Sequence, residues 1–278
     1  MLLSVITINR NNSKGLQYTM QSIVGQGFKD FEYIVVDGAS TDNSVDIIKL
    51  FEPDSRLHWI SEPDKGIYNA MNKGIRMAQG DYVVMINSGD ALIHSNVLER
   101  MSDQLRLKGN PDILYGNIIK RWPNGRTLRD PQFTDGNITM FNFYTGTINH
   151  VGTFARRALF TTVGYYDEDM KICSDWAWFL NSIALHGAKV SHCDIDTVFF
   201  DMTGVSESDG KHADLIRQER RQVLEATLPQ GILADYDRYA SDIRVCRRLH
   251  RHPVAWRLVR LIERLLFKWE RLTRKTSY

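Results

Sequence analysis

The sequence predicts an α/β protein whose first half is Rossmann-like, and three observations carry that expectation. Short apolar runs alternate with helical patterns over roughly the first hundred residues. The runs are almost continuous in Val, Ile, Leu and Tyr, as in parallel strands buried on both faces by crossover helices. Three of them end in polar clusters: Asn9 to Asn12, Asp37-Gly38-Ala39-Ser40, and Asn87 to Asp90. The carboxyl ends of strands are where open α/β sheets bind ligands.

In order, LLSVITI (2–8) reads as a strand and Gly15 to Val24 as a helix. FEYIVVD (31–37) is the second strand, and Thr41-Asp42-Asn43 opens a helix from Ser44 to Phe51. LHWISE (57–62) is the third strand, Ile67 to Ala78 a helix ending near Gly80, and DYVVMIN (81–87) the fourth strand. Beyond Asp90 the rhythm loosens. Asn96 to Leu107 reads as helix and DILYGNIIK (112–120) as strand, while 121–149 is loop-rich. ALFTTVGYYDE (158–168) leads into a helix from about Trp176 to His186, then the strand KVSHCDIDTVFFD (189–201) and a helical region from near Lys211. Pro229-Gln230-Gly231 is the expected seam, dividing a body at 1–228 from an extension at 229–278.

Composition narrows the setting. The 278 residues suit one large domain or one domain with an appendage, and 43% apolar with 24% charged residues excludes a disordered chain. A net charge of +2 hides an asymmetry: 243–278 holds eleven Lys/Arg against two acids, leaving the rest of the chain at −7. Three cysteines without a CxxC give neither a disulfide framework nor a zinc site. The N-terminus lacks the features of a signal peptide, and no run approaches the ~18–20 apolar residues of a membrane span. A cytoplasmic setting is therefore expected.

The first turn, Asn9 to Gly15, lacks GxGxxG, and no GxxxxGK[ST] occurs, which disfavours a dinucleotide site or a P-loop. Each strand-end cluster, taken alone, is also ordinary turn chemistry. Asp37 nevertheless sits where a second-strand acid can accept hydrogen bonds from a ribose or base.

Taken together, SVITINRNN, VVDGASTDNS, SEPDKGIYNAMNKGI and GDYVVMINSGD resemble, in order, the motifs of family 2 glycosyltransferases with a GT-A fold. The phrase EPDKGIYNAMNKG is similar to that of bacterial enzymes assembling cell-surface polysaccharides of the colanic acid type. The likeness spans roughly 1–200 and implies a mixed central sheet and an inverting, hexosyltransferase-type enzyme. Such an enzyme moves a sugar from a nucleotide-diphosphate sugar to an acceptor hydroxyl, here of a saccharide or lipid-linked saccharide. It places Asn9 and Asp37 at the nucleotide, and Asp64, Lys65 and Gly66 in the loop against it. Lys65 brings positive charge to a diphosphate and Gly66 allows close backbone approach. Asn69 and Asn72, three apart on the next helix, can face the same ligand or simply an exposed helix face.

The family's D-x-D at the fourth strand is replaced by Ser88-Gly89-Asp90. One carboxylate still suffices for Mg²⁺ or Mn²⁺ at Asp90, because such ions take most ligands from phosphates and water. Gly89 lets the donor approach. Asp175 matches the family's general base, although Ser174 or Asp175 is also a good N-cap. His150 falls where acceptor or phosphate contacts lie, and Trp176 or Trp178 is a candidate to stack on sugar, with core packing the alternative for at least one. His192 and His212 are further candidate metal ligands.

The tail from Val254 to Thr273 is amphipathic, with Trp256 and Trp269 on an apolar face beside Arg257, Arg260, Arg264, Lys268 and Arg271. It reads as a helix on an anionic membrane surface at the inner face of the cell membrane, or docked on the body; so broad an apolar face is unnecessary for nucleic acid. Two other functions fit less well: a sugar nucleotidyltransferase, which needs a Gly-rich phosphate loop, and a catalytically degenerate assembly partner.

Overall fold

The sheet is built outward from β1 (Leu3–Asn9) and β2 (Phe31–Asp37), whose residues are all buried. In this computed structural model, which describes residues 2–134, 137–203 and 212–274, they pair in parallel from Leu3↔Phe31 to Asn9↔Asp37. That register brings two polar strand ends side by side. Helices α1 (Ser13–Val24) and α2 (Ser44–Leu50) follow them, and β3 (Leu57–Ser61) adds a half-exposed edge. Helix α3 (Ile67–Met77) leads to β4 (Tyr82–Met85), parallel to β1 on its other side.

After Asp90 come β5 (Ala91–Leu92), α4 (Val97–Leu107), β6 (Ile113–Arg121), β7 (Thr127–Asp130), α5 (Met140–Thr145), β8 (Thr153–Arg156) and α6 (Ala158–Thr162). Helix α7 (Ser174–Phe179) runs into a π-helical turn (Leu180–Leu185) before β9 (Val190–Asp201). The path across the sheet is β3-β2-β1-β4-β8-β6-β9-β5, with β7 attached to β6. The first four strands are parallel, and β8 enters antiparallel between β4 and β6. This mixed α/β sheet is the GT-A architecture.

Four short elements, β7, α5, β8 and β5, fall outside the sequence expectation, and two of them position chemistry. Within the expected 121–149 loop, β7 and α5 form. β8, preceded by a Met85↔Val151 bridge, carries His150 to the end of β4. β5 pairs with Phe199 and Val198 of β9 and so brings Asp90 beside Asp201. Strands of two and four residues have almost no pattern of their own; they exist through their pairing.

The chain divides into two compact units between Val223 and Leu224, within α8 (Ala213–Thr227). The expected helix start at Lys211 lies outside the described residues. The second unit contains α9 (Gln230–His250), N-capped by Pro229, and α10 (Pro253–Arg274). Among the described residues no helix is long and apolar enough to cross a membrane.

Candidate active site

Asp90 is 4% exposed at a corner built by four segments. The Thr19 hydroxyl of α1 accepts from Gly89 N–H at 3.0 Å and donates to the Asp90 carbonyl at 2.6 Å. Gly89 has φ +109°, a backbone that excludes a side chain, and a Cβ there would lie 3.0 Å from Asp201 Oδ2. The Asp201 N–H donates to Asp90 Oδ1 at 2.8 Å. Burial pushes the Asp90 carboxyl up to about 7; the Asp201 N–H and His150 oppose this, and the Asp201 carboxylate adds to it. Ser88 stitches the corner to α1 through its carbonyl, which accepts from Asn12 Nδ2 at 3.2 Å.

The expected nucleotide contacts divide. Asp37 is fully buried and accepts from Asn9 Nδ2 (2.8 Å), Ser40 N–H (2.9 Å), the Ser61 hydroxyl (2.7 Å) and the Ser40 hydroxyl. Burial alone would raise its pKa, but these donors outweigh it and hold the carboxyl below its ordinary value. Asp37 therefore shapes the Gly38–Thr41 turn. Asn9 keeps a buried Oδ1 with no partner.

Asn72 is held by internal partners in the same way. It is 1% exposed, donates to Tyr166 O (2.8 Å) and Glu168 Oε1 (2.9 Å), and accepts from Tyr166 N–H (3.1 Å). Asn69 does face the same group as Asn72, but that group is Glu168, to whose Oε2 it donates at 2.7 Å. Its Oδ1 accepts from Lys65 N–H at 3.2 Å, so both amides anchor the loop. In that loop Lys65 is exposed, Gly66 has φ +152°, and Asp64 is held by Lys73 at 2.7 Å. Asp64 Oδ2 lies 2.7 Å from where a Gly38 Cβ would stand, which sets the loop against the Asp37 turn.

Asp175 is not the cap. Cys173 occupies that position without a side-chain bond, and the start of α7 is held instead by Glu219 of α8. The Glu219 carboxylate accepts from the N–H groups of Lys171 (2.7 Å), Ile172 (3.1 Å) and Cys173 (2.9 Å). Asp175 Oδ2 lies 2.7 Å from His150 Nδ1, and Tyr68 shares its hydroxyl between Asp175 Oδ1 (3.1 Å) and the Ile172 carbonyl. Burial would raise the Asp175 pKa; His150 outweighs it and keeps the carboxyl ionised. Burial would lower His150, and Asp175 reverses that into a raised pKa.

On the far side of the ring, Asn87 Nδ2 lies 3.0 Å from His150 Nε2, so the neutral imidazole carries its proton on Nδ1, toward Asp175. Asn87 Oδ1 is buried without a partner; half a turn of the amide offers that oxygen to the imidazolium.

His150, Asp175, Trp176, Cys173 and Arg220 line a cavity of about 140 Å³. Trp176 is 1% exposed, its Nε1–H is shared by the carbonyls of Phe143 and Gly146, and it forms wall, not an open stacking platform. Trp178 is core, stacked on Phe160 at 4.3 Å. His192 is tied to Asn117 at 3.0 Å, and no cluster of three metal-ligating side chains, with His212 or otherwise, forms among the described residues.

The fold is that of the GT-A class. Residues 4–166 match the model of glycosyl transferase family 2, and the chain belongs to that family. It is 32% identical over 177 residues to a PGL/p-HBAD biosynthesis glycosyltransferase of Mycobacterium bovis, covering 63% of this chain and 67% of that one. It is also 32% identical over 206 residues to an uncharacterized glycosyltransferase of Mycobacterium tuberculosis, 73% and 76% of the two chains. Among solved structures, S. aureus TarS 1–349 in complex with UDP-GlcNAc superposes with a TM-score of 0.65 at 22% identity, over 83% of this chain and 69% of that one. The Pyrobaculum calidifontis mannosyltransferase PcManGT, in complex with GDP-Man and Mn²⁺, gives 0.59 at 19%, over 78% and 60%.

Proposed function

We propose that the chain transfers a hexose from a nucleoside-diphosphate sugar to an acceptor hydroxyl in a single inverting displacement. The observation that carries this reading is the line Asn87–His150–Asp175, which joins the loop of Asp90 to the cavity wall. It sets a leaving-group corner beside a base, as one displacement requires. Asp175, ionised and facing the cavity, takes the acceptor proton as the new bond forms. His150 holds that carboxylate in place and takes up part of its charge. Lys65 and the Gly66 backbone lie at the donor's diphosphate.

A divalent cation fits the corner. Asp90 is a buried carboxyl whose pKa is raised to about 7 beside a second carboxylate, Asp201, the environment that a bound cation relieves. Mg²⁺ or Mn²⁺ held by Asp90, with Asp201 behind it, would neutralise charge on the departing nucleoside diphosphate. Solved proteins of this fold carry UDP-GlcNAc or GDP-Man with Mn²⁺, which supports such a donor and ion.

The direct test is release of nucleoside diphosphate from a panel of nucleotide sugars with Mg²⁺ or Mn²⁺. Turnover of at least one donor is expected; none from any would remove the reading and favour a degenerate assembly partner. Because a cation displaces the Asp90 proton, its affinity should rise about tenfold per pH unit below about pH 7 and level off above it. Calorimetric titration from pH 6 to 8.5 reads this, and a flat profile would remove Asp90 as ligand.

A lipid-linked saccharide at the inner face of the cell membrane, in polysaccharide assembly, is the acceptor setting we propose. Its support is α10. Leu261, Ile262, Leu265 and Leu266 are all more than half exposed, as is Trp269 at 62%, beside the basic series from Arg257 to Arg271. Trp256 is the exception: it stacks on His250 at 4.1 Å and anchors α10 to α9. Each cation near an anionic leaflet adds ~1 kcal/mol. Full-length protein should sediment with anionic vesicles at low salt, and a chain ending at Arg251, which keeps the buried Leu233 and Ala240, should not. Equal sedimentation of the two would place binding elsewhere.

A further inference from the structure

We infer that the cavity beside Asp175 takes an acceptor sugar bearing a negatively charged group, carboxylate or phosphate, and that Arg220 holds that group. The inference rests on Asp175 being the acceptor-side base.

Arg220 of α8 lines the cavity, with its guanidinium carbon 5.1 Å from the centroid of the Trp176 ring. The ring face fixes the guanidinium plane and stabilises its charge. Yet Nε is buried and has no hydrogen-bond partner, and no carboxylate pairs with Arg220 among the described residues. The carboxylate next to it in the chain, Glu219, and the one that shares the cavity wall, Asp175, are already used. Glu219 holds the three N–H groups before α7, and Asp175 holds His150 and Tyr68. Cys173, the remaining polar neighbour, is a neutral thiol whose pKa burial pushes up to about 11 against the opposing charge and side-chain hydrogen bond of Arg220, and a neutral sulfur does not compensate that charge.

A cation with a buried, unfilled donor is costly until an anion arrives, and the guanidinium fork suits carboxylate and phosphate oxygens. Size limits the occupant. A cavity of about 140 Å³ has room for one six-membered ring, so the charge belongs to the sugar entering beside Asp175.

Three hexoses that differ only at C6 test this on the full-length protein: glucose, glucuronic acid and glucose 6-phosphate, with affinities read by ligand-observed NMR titration. At least one charged hexose is expected to bind ten times tighter than glucose, and which one wins tells carboxylate from phosphate. Arg220→Gln should erase the advantage, so that all three hexoses bind alike, and Arg220→Lys should keep part of it at an unaltered melting temperature. Equal binding of all three by the unmodified protein, or an advantage that survives Arg220→Gln, would overturn the inference. Nucleotide-sugar turnover is scored separately: its absence with the charge preference intact would sink the proposed reaction and leave the anion site standing.

Discussion

Asp90→Ala is expected to lower transfer by about 10³-fold or more, because ion-derived stabilisation of a leaving group amounts to several kcal/mol. The fold should survive. The substitution removes one hydrogen bond to Asp201 N–H, a loss of about 1 kcal/mol. It also removes an acid whose folded pKa, about 7, lies above its unfolded value. For such an acid the folded state is penalised as pH climbs through the window between the two values, and the penalty is complete above the folded one. The variant's melting temperature, measured without added metal, should therefore match or exceed that of the unmodified protein at pH 8. Near-normal transfer by Asp90→Ala in the presence of chelator would refute the role.

Asp175→Asn is expected to reduce turnover by about 10²–10⁴-fold, the usual contribution of a positioned general base. The amide matches the carboxylate in shape and can still accept from His150, so the pocket persists. What goes is charge, and the stability effect should carry a pH signature. His150 has a raised pKa because of Asp175. Stability gained from that shift is fully present below the unfolded value, ~6.5, and is lost as pH rises through the folded one. The loss in melting temperature should thus be greatest near pH 6 and fade at higher pH. Turnover equal to that of the unmodified protein would leave Asp175 a purely structural group.

The parallel half of the fold was legible because each strand is an uninterrupted apolar run closed by a polar cluster. Phe31–Asp37 is read from the sequence at the same bounds as observed, and its neighbours within a residue or two. Those clusters also gather at one sheet edge, Asn9 beside Asp37. The rest depends on contacts remote in sequence. Asp37 and Asn72 are residue types that serve ligands and buried scaffolds equally, and their burial and internal partners could not be read from sequence. Glu168 and Glu219, which organise Asn69, Asn72 and the start of α7, sit in stretches with no local signature. Asp201 did carry one. It ends an apolar strand just as Asp37 and Asp90 do, and the same reading applied to VFFD at 198–201 finds it. Arg220 has no signal in sequence at all, since its meaning lies in an unfilled buried Nε.

Crystals of the full-length protein grown with a nucleoside diphosphate and Mn²⁺, and measured at the manganese absorption edge, test the central claim most directly. An anomalous peak coordinated at once by the Asp90 carboxylate and the diphosphate is the expected result. An ion held by the diphosphate alone, away from Asp90, or a diphosphate bound at some other edge of the sheet, would contradict it.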